Sequence, residues 1–156
     1  MANMNNWPDQ RGRSNWNDNT SRPVFPKGYL EDGYYRQLDG EPVLRKAYIV
    51  GFPRELAKML SSGSRNINKR SQIRKFYEYA LRMQKSLQQN NGNFGKVEAE
   101  LGRLAPHAAY AKSRRVVSDF FEEFIQRNLE AIHSAEDLNA FCKHFEAIIA
   151  YLPKDN

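Results

Sequence analysis

The stretch KRSQIRKFYEYALRMQK, Lys69 to Lys85, decides the fold. At roughly 100° per residue, Ile73, Phe76, Tyr77, Ala80, Met83 and Leu87 share an arc of about 120°. Arg70, Arg74, Lys75, Arg82 and Lys85 fall on the opposite arc, with Glu78 as the one acid among them. Burying the apolar arc forces the cations outward. Like charges one turn apart repel by a few tenths of a kcal/mol per pair. The pattern fits an external anion as readily as a plain solvated face.

Helical spacing continues on both sides. A helix over about 44–62 carries Leu56, Met59 and Leu60, with Pro53 interrupting it and Gly63 as its stop. The basic helix spans about 69–90, capped by Asn68 or Ser71, and ends in the turn signal NNGN. A short helix follows over 94–103, and Pro106 opens a fourth segment that runs to about residue 131. Ser134 caps a last helix over 135–152, with Asp137 three residues on and Pro153 as its stop. Leu138, Phe141, Phe145, Ile148, Ile149 and Leu152 recur at three- and four-residue steps. No strand alternation with turn chemistry is read anywhere. The expected fold is all-α, a compact bundle of about five helices in a domain spanning 43–156. Residues 1–42, rich in Asn and broken by Pro8, Pro23, Pro26 and Pro42, read as a mostly disordered tail. Its aromatic residues, Trp7, Trp16, Phe25, Tyr29, Tyr34 and Tyr35, are unusual for such a tail.

Charge is segregated along the chain. Residues 54–115 hold 14 Lys and Arg against 4 Asp and Glu, a net of +10. Residues 116–156 hold 3 against 8, a net of −5, and residues 1–53 sit near neutrality at +1. A basic surface attracts phosphate backbones. A basic and an acidic patch on one molecule also allow copies to pair head to tail. Lys112, Arg114 and Arg115 form a second cationic cluster on the fourth segment. If that segment packs beside the basic helix, the two clusters make one groove for a phosphate backbone.

Little points to catalysis. The three histidines, His107, His133 and His144, lack metal-ligand spacing. Cys142 and His144 stand two apart on a helix, so their side chains diverge, and Cys142 beside Phe141 reads as core. No glycine loop has the lysine and spacing of a phosphate cradle. No cofactor is expected. A lone cysteine and the absence of any long apolar run point to a cytoplasmic setting without a membrane.

Three stretches, taken in order, resemble one family. They are SQIRKFY (71–77), LAPHAAYAKSRR (104–115) and HFEAIIAYLPK (144–154). Together, in a basic helical chain of this length, they resemble the small subunit of the type III-A CRISPR effector, the Csm complex, over residues 44–154. The Asn-rich tail departs from the family core. The resemblance implies a helical, non-catalytic, RNA-binding subunit. Several copies would stack along the guide (crRNA) and target RNA beside the other Csm subunits, in the service of antiviral defence. It marks Arg74, Lys75 and Arg114 as RNA contacts. It assigns Tyr110, Phe145, Glu146, Ala147 and Tyr151 to the fold or to contacts between copies. Arg70, Arg82, Lys85, Lys112 and Arg115 join the RNA-binding set on charge alone.

Two other readings stay open. One is a free-standing basic helical protein that binds DNA or RNA, with Gln72 and Asn68 as base-reading candidates. The other is a helical interaction module for an acidic protein partner.

Overall fold

In a computed structural model of the chain, residues 23–155 are described. The Asn run and both tryptophans of the expected tail lie outside them. Five helices longer than two turns occur among the described residues. They are α1 (Gly51–Leu60), α2 (Arg70–Gln89), α3 (Leu104–Ser113), α4 (Asp119–Ala131) and α5 (Ala135–Tyr151). Short turns at Phe94–Lys96 and Glu98–Leu101 link α2 to α3, where one short helix was expected.

Helix α5 is the spine because its apolar residues make a wide buried face and leave only a narrow exposed stripe of Glu136, Lys143, Glu146 and Ala150. Leu138, Phe141, Phe145 and Ile148 are fully buried. It packs against both α1 and α2, while α3 leans on α4. Ser134 caps it as expected: the hydroxyl accepts from the Asp137 amide at 3.1 Å, and the Asp137 carboxylate accepts from the His133 amide at 2.9 Å. Phe124 of α4 meets Phe145 edge to face at 5.4 Å, and Phe76 of α2 meets Phe121 at 4.9 Å. Cys142 is core, as its neighbours suggested, and burial pushes its thiol up to about 12.

Four expectations are corrected. Pro53 does not interrupt α1. It sits in the first turn, where an amide has no intrahelical partner, and the helix stops at Ser61 instead of Gly63. The fourth segment is two helices. Arg115 takes φ +60°, the Arg115 amide bonds to Lys112 O, and the Val116 amide bonds to Ala111 O. That is the helix-ending motif usually closed by glycine, here closed by arginine. Ser118 then caps α4 by accepting from the Phe121 amide at 3.2 Å.

Strands are present as well. β1 (Tyr35–Leu38) and β2 (Glu41–Leu44) pair antiparallel, with Tyr35 opposite Leu44. Asp39 and Gly40, at φ +53° and +83°, make the two-residue turn that suits a hairpin.

The fourth correction concerns residues 23–42, which are folded onto the bundle by a chain of buried hydrogen bonds. His144 Nδ1 lies 2.8 Å from the Tyr48 carbonyl, which only accepts, so Nδ1 carries the proton. His144 Nε2 therefore accepts from the Tyr29 hydroxyl at 2.7 Å. The Tyr29 oxygen accepts in turn from Asn128 Nδ2 at 2.9 Å, and Asn128 Oδ1 accepts from the Tyr34 hydroxyl at 2.7 Å. Tyr29, Tyr34, Asn128 and His144 are all buried. Each polar atom in this chain has a partner, as the interior demands. Phe25 stacks on Phe120 at 4.3 Å and carries Arg127 on its ring.

Candidate nucleic-acid interface

Asn68 decides how the basic elements meet. It sits at φ +62°, 8% exposed, between α1 and α2. Its amide bonds to Val116 O at 3.0 Å. Its side-chain nitrogen donates to Leu60 O at 3.0 Å and to Ser118 Oγ at 2.9 Å, and its side-chain oxygen accepts from the Ser118 amide at 2.9 Å. The start of α2 is thereby tied to the corner between α3 and α4. Asn68 is consumed by the fold, neither capping α2 nor available to read bases.

Ser71 does not cap α2 either. The cap comes from Asp155, whose two carboxylate oxygens accept from the Arg70 and Ser71 amides at 2.8 and 3.0 Å. The Ser71 hydroxyl first, and then these amides, hold its carboxyl below the usual carboxylate range. A cleft of about 350 Å³ opens there, lined by Arg65, Lys69, Arg70 and Lys154.

The tie at Asn68 leaves a groove between α2 and α3. Its volume is about 280 Å³. Gln72, Lys75, Tyr79 and Arg82 come from α2; His107, Tyr110 and Arg114 come from α3 and its end. Phe76, Leu104, Ala111 and Val116 add apolar surface. The Arg82 guanidinium lies 5.1 Å from the Tyr79 ring centre, and the Arg114 guanidinium 5.6 Å from that of Tyr110. Tyr79 is held by a 2.7 Å hydrogen bond to Glu100 O and by the edge of His107.

Three of the eight sequence candidates, Lys75, Arg82 and Arg114, therefore share one groove. Arg74, one residue from Lys75, is turned about 100° away on the helix and pairs with Glu78 at 3.3 Å. Both partners of that pair are more than half exposed, so it holds Arg74 only weakly. Lys112 faces α4, 2.8 Å from Glu122 and 3.7 Å from Asp119, and these carboxylates hold its ammonium above the usual lysine range. Arg70 belongs to the Asp155 cleft. Lys85 and Arg115 are exposed and outside both cavities.

The aromatic part of the groove went unread. Its signal is Tyr79 three residues before Arg82 and Tyr110 four before Arg114, the spacings at which helical side chains touch. Of the residues assigned to fold or contacts, Phe145 is fully buried, whereas Tyr110 and Tyr151 are 64% and 44% exposed. Among the described residues no group of His, Cys, Asp and Glu is arranged to hold a metal ion, and no helix is long and apolar enough to cross a membrane.

Comparison with known proteins agrees with the three-motif resemblance. The family model described as Csm2 Type III-A matches residues 47–152, which include the groove and all five helices. No curated protein and no solved structure matches the chain. The chain belongs to the Csm2 Type III-A family, the small subunits of the type III-A CRISPR effector.

Proposed function

We propose that this subunit is non-catalytic and binds RNA through its phosphates, without regard to sequence, several copies stacking along the guide and target RNA of the effector. The groove between α2 and α3 carries the reading. Lys75, Arg82 and Arg114 converge there from two elements, and none of the three has a carboxylate partner within 4 Å among the described residues. Unpaired cations on rigid elements read phosphate positions instead of base identity. A guide that changes from spacer to spacer requires contacts of that kind.

Charge segregation supports stacking. Asp119, Glu122, Glu123 and Glu130 line a hollow along α4 together with Lys112 and Arg127, and its carboxylates outnumber its cations by two. The basic groove lies on the other side of α3, so one copy offers each sign to its neighbours. The unpaired cations favour RNA over an acidic protein as the groove's occupant, because the aromatic rings between them suit nucleotides.

The test is binding of the full chain to several random-sequence RNAs over a range of salt. Lys75→Glu combined with Arg114→Glu should weaken every RNA several-fold, lower the salt slope and leave the helical CD spectrum unchanged. Unaltered affinity, or binding flat in salt, would remove the groove from the RNA site.

A further inference from the structure

The two walls of the groove belong to different layers. Helix α2 packs on α5, whereas α3 packs on α4. The spacing between α2 and α3 is therefore set by a short set of contacts between the layers. Phe76 meets Phe121, and Tyr79 meets the edge of His107. Ring pairs are favourable over centroid separations of about 4.5–7 Å, so they leave the spacing loose. The Tyr79 hydroxyl, bonded to Glu100 O, anchors one end of the groove. At the other end the hydrogen bonds between the layers, among the described residues, run through Asn68. Asn68 and Ser118 exchange two of them. The Asn68 side-chain nitrogen donates to Ser118 Oγ, and the Ser118 amide donates back to Asn68 Oδ1, each at 2.9 Å. The Asn68 amide adds a third, to Val116 O at 3.0 Å. Several attachments at one residue fix orientation as well as distance. The Asn68 side chain also donates to Leu60 O, so the end of α1 joins the same knot.

We propose that Asn68 is the positioning residue of the groove: its reciprocal pair with Ser118 sets the separation between the α2 wall and the α3 wall. The residue type suits the task. At φ +62° the backbone is in the left-handed region, which asparagine tolerates better than most residues. Its amide side chain is the shortest that both donates and accepts, so it can return the bond it receives from Ser118. A residue that only stabilised the fold would leave the spacing intact in every molecule that stays folded. A positioning residue would not. On the phosphate-binding reading, on which the RNA measurement below rests, the same pair decides whether Lys75 and Arg114 engage one backbone together.

The experiment uses the full chain with Glu78→Cys on α2 and Ser113→Cys on α3, two exposed positions outside the groove, each carrying a nitroxide. Cys142 is buried and takes no label. Pulsed electron–electron double resonance reads the distance between the labels. Asn68→Gly keeps the backbone conformation and drops the side-chain bonds. Ser118→Ala drops the hydroxyl half of the pair. Both should shift or spread the distance by about 1–2 Å, the glycine variant more. Ser134→Ala is the control. It removes the same kind of cap from α5, where no partner lies across the groove, and should leave the distance unchanged. CD spectra check folding; if Asn68→Gly does not fold, Ser118→Ala carries the test. An unchanged distance in the folded Asn68 and Ser118 variants, or an equal shift in Ser134→Ala, overturns the inference. RNA affinity is then read on the unlabelled proteins. Asn68→Gly should weaken it several-fold and Ser134→Ala should not. A shifted distance with unaltered RNA affinity upholds the positioning role and removes the phosphate reading of the groove.

Discussion

Acid should unfold this protein through His144. The imidazole is fully buried and accepts from Tyr29 through Nε2. A second proton, on Nε2, would take away the acceptor of the buried Tyr29 hydroxyl, which would have to turn its own proton away from the ring. Burial therefore lowers the folded-state value from 6.5 to about 4. Between those values the unfolded chain binds a proton that the folded chain refuses, so stability is lost as pH falls through the window. At 1.36 kcal/mol per unit, the full loss is about 3 kcal/mol. That is a large share of a typical domain's 5–15 kcal/mol. The assay is urea unfolding followed by CD at intervals from pH 7.5 to 4.5. Side-chain carboxylates also begin to protonate at the acid end, so the informative quantity is the slope of the native protein minus that of His144→Gln. The variant starts less stable at pH 7.5 but should lose much less below pH 6.5. Equal slopes for the two proteins would refute the buried neutral imidazole.

Three further outcomes are expected. Phe145→Ala should cost about 3–5 kcal/mol by chemical denaturation, because the ring is fully buried and packed on Phe124 and Phe141; a loss below about 1 kcal/mol would contradict that packing. Tyr34→Phe strips the buried Asn128 Oδ1 of its donor and should cost about 1–3 kcal/mol, more than Tyr35→Phe, whose hydroxyl donates to Glu136 O at an exposed site; thermal melts rank the two. Lys75→Ala should lower the salt slope of RNA binding by about 0.7 for a single strand, whereas Lys112→Ala, which only frees Glu122, should leave it unchanged.

The long helices were legible because a helix with one buried stripe writes that stripe into its spacing. In α2 and α5 the expected ends fell within a residue or two of the observed ones. The breaks between helices were less legible. Arg115 closes α3 in a conformation that glycine usually supplies, and the cap at Ser118 is hidden in a run that reads as continuous helix. The hairpin did announce itself through Asp39-Gly40, but its strands are mostly exposed, so no inward alternation accompanied the turn. Tyr29 and Tyr34 sit among prolines and glycines, where burial has no period to reveal it. For the candidate interface, charge pointed to the two elements that line the groove. It could not distinguish Lys75 from Arg74 or Lys112, because that depends on which carboxylates the tertiary fold brings near each cation.

The buried tyrosine chain gives this protein two different N-terminal edges. Relatedness begins at Ala47, the point from which the family model follows the chain. The buried core begins earlier, with Tyr29 and Tyr34. A fragment started at Ala47 would lack Tyr29, Tyr34 and Phe25, leaving His144 Nε2 and Asn128 Oδ1 without the partners they now have and baring the Phe120 ring. Such a piece would retain all five long helices and still leave buried polar atoms without partners in its own core. A unit that keeps these contacts therefore reaches back to at least Phe25, into residues that the family match does not cover.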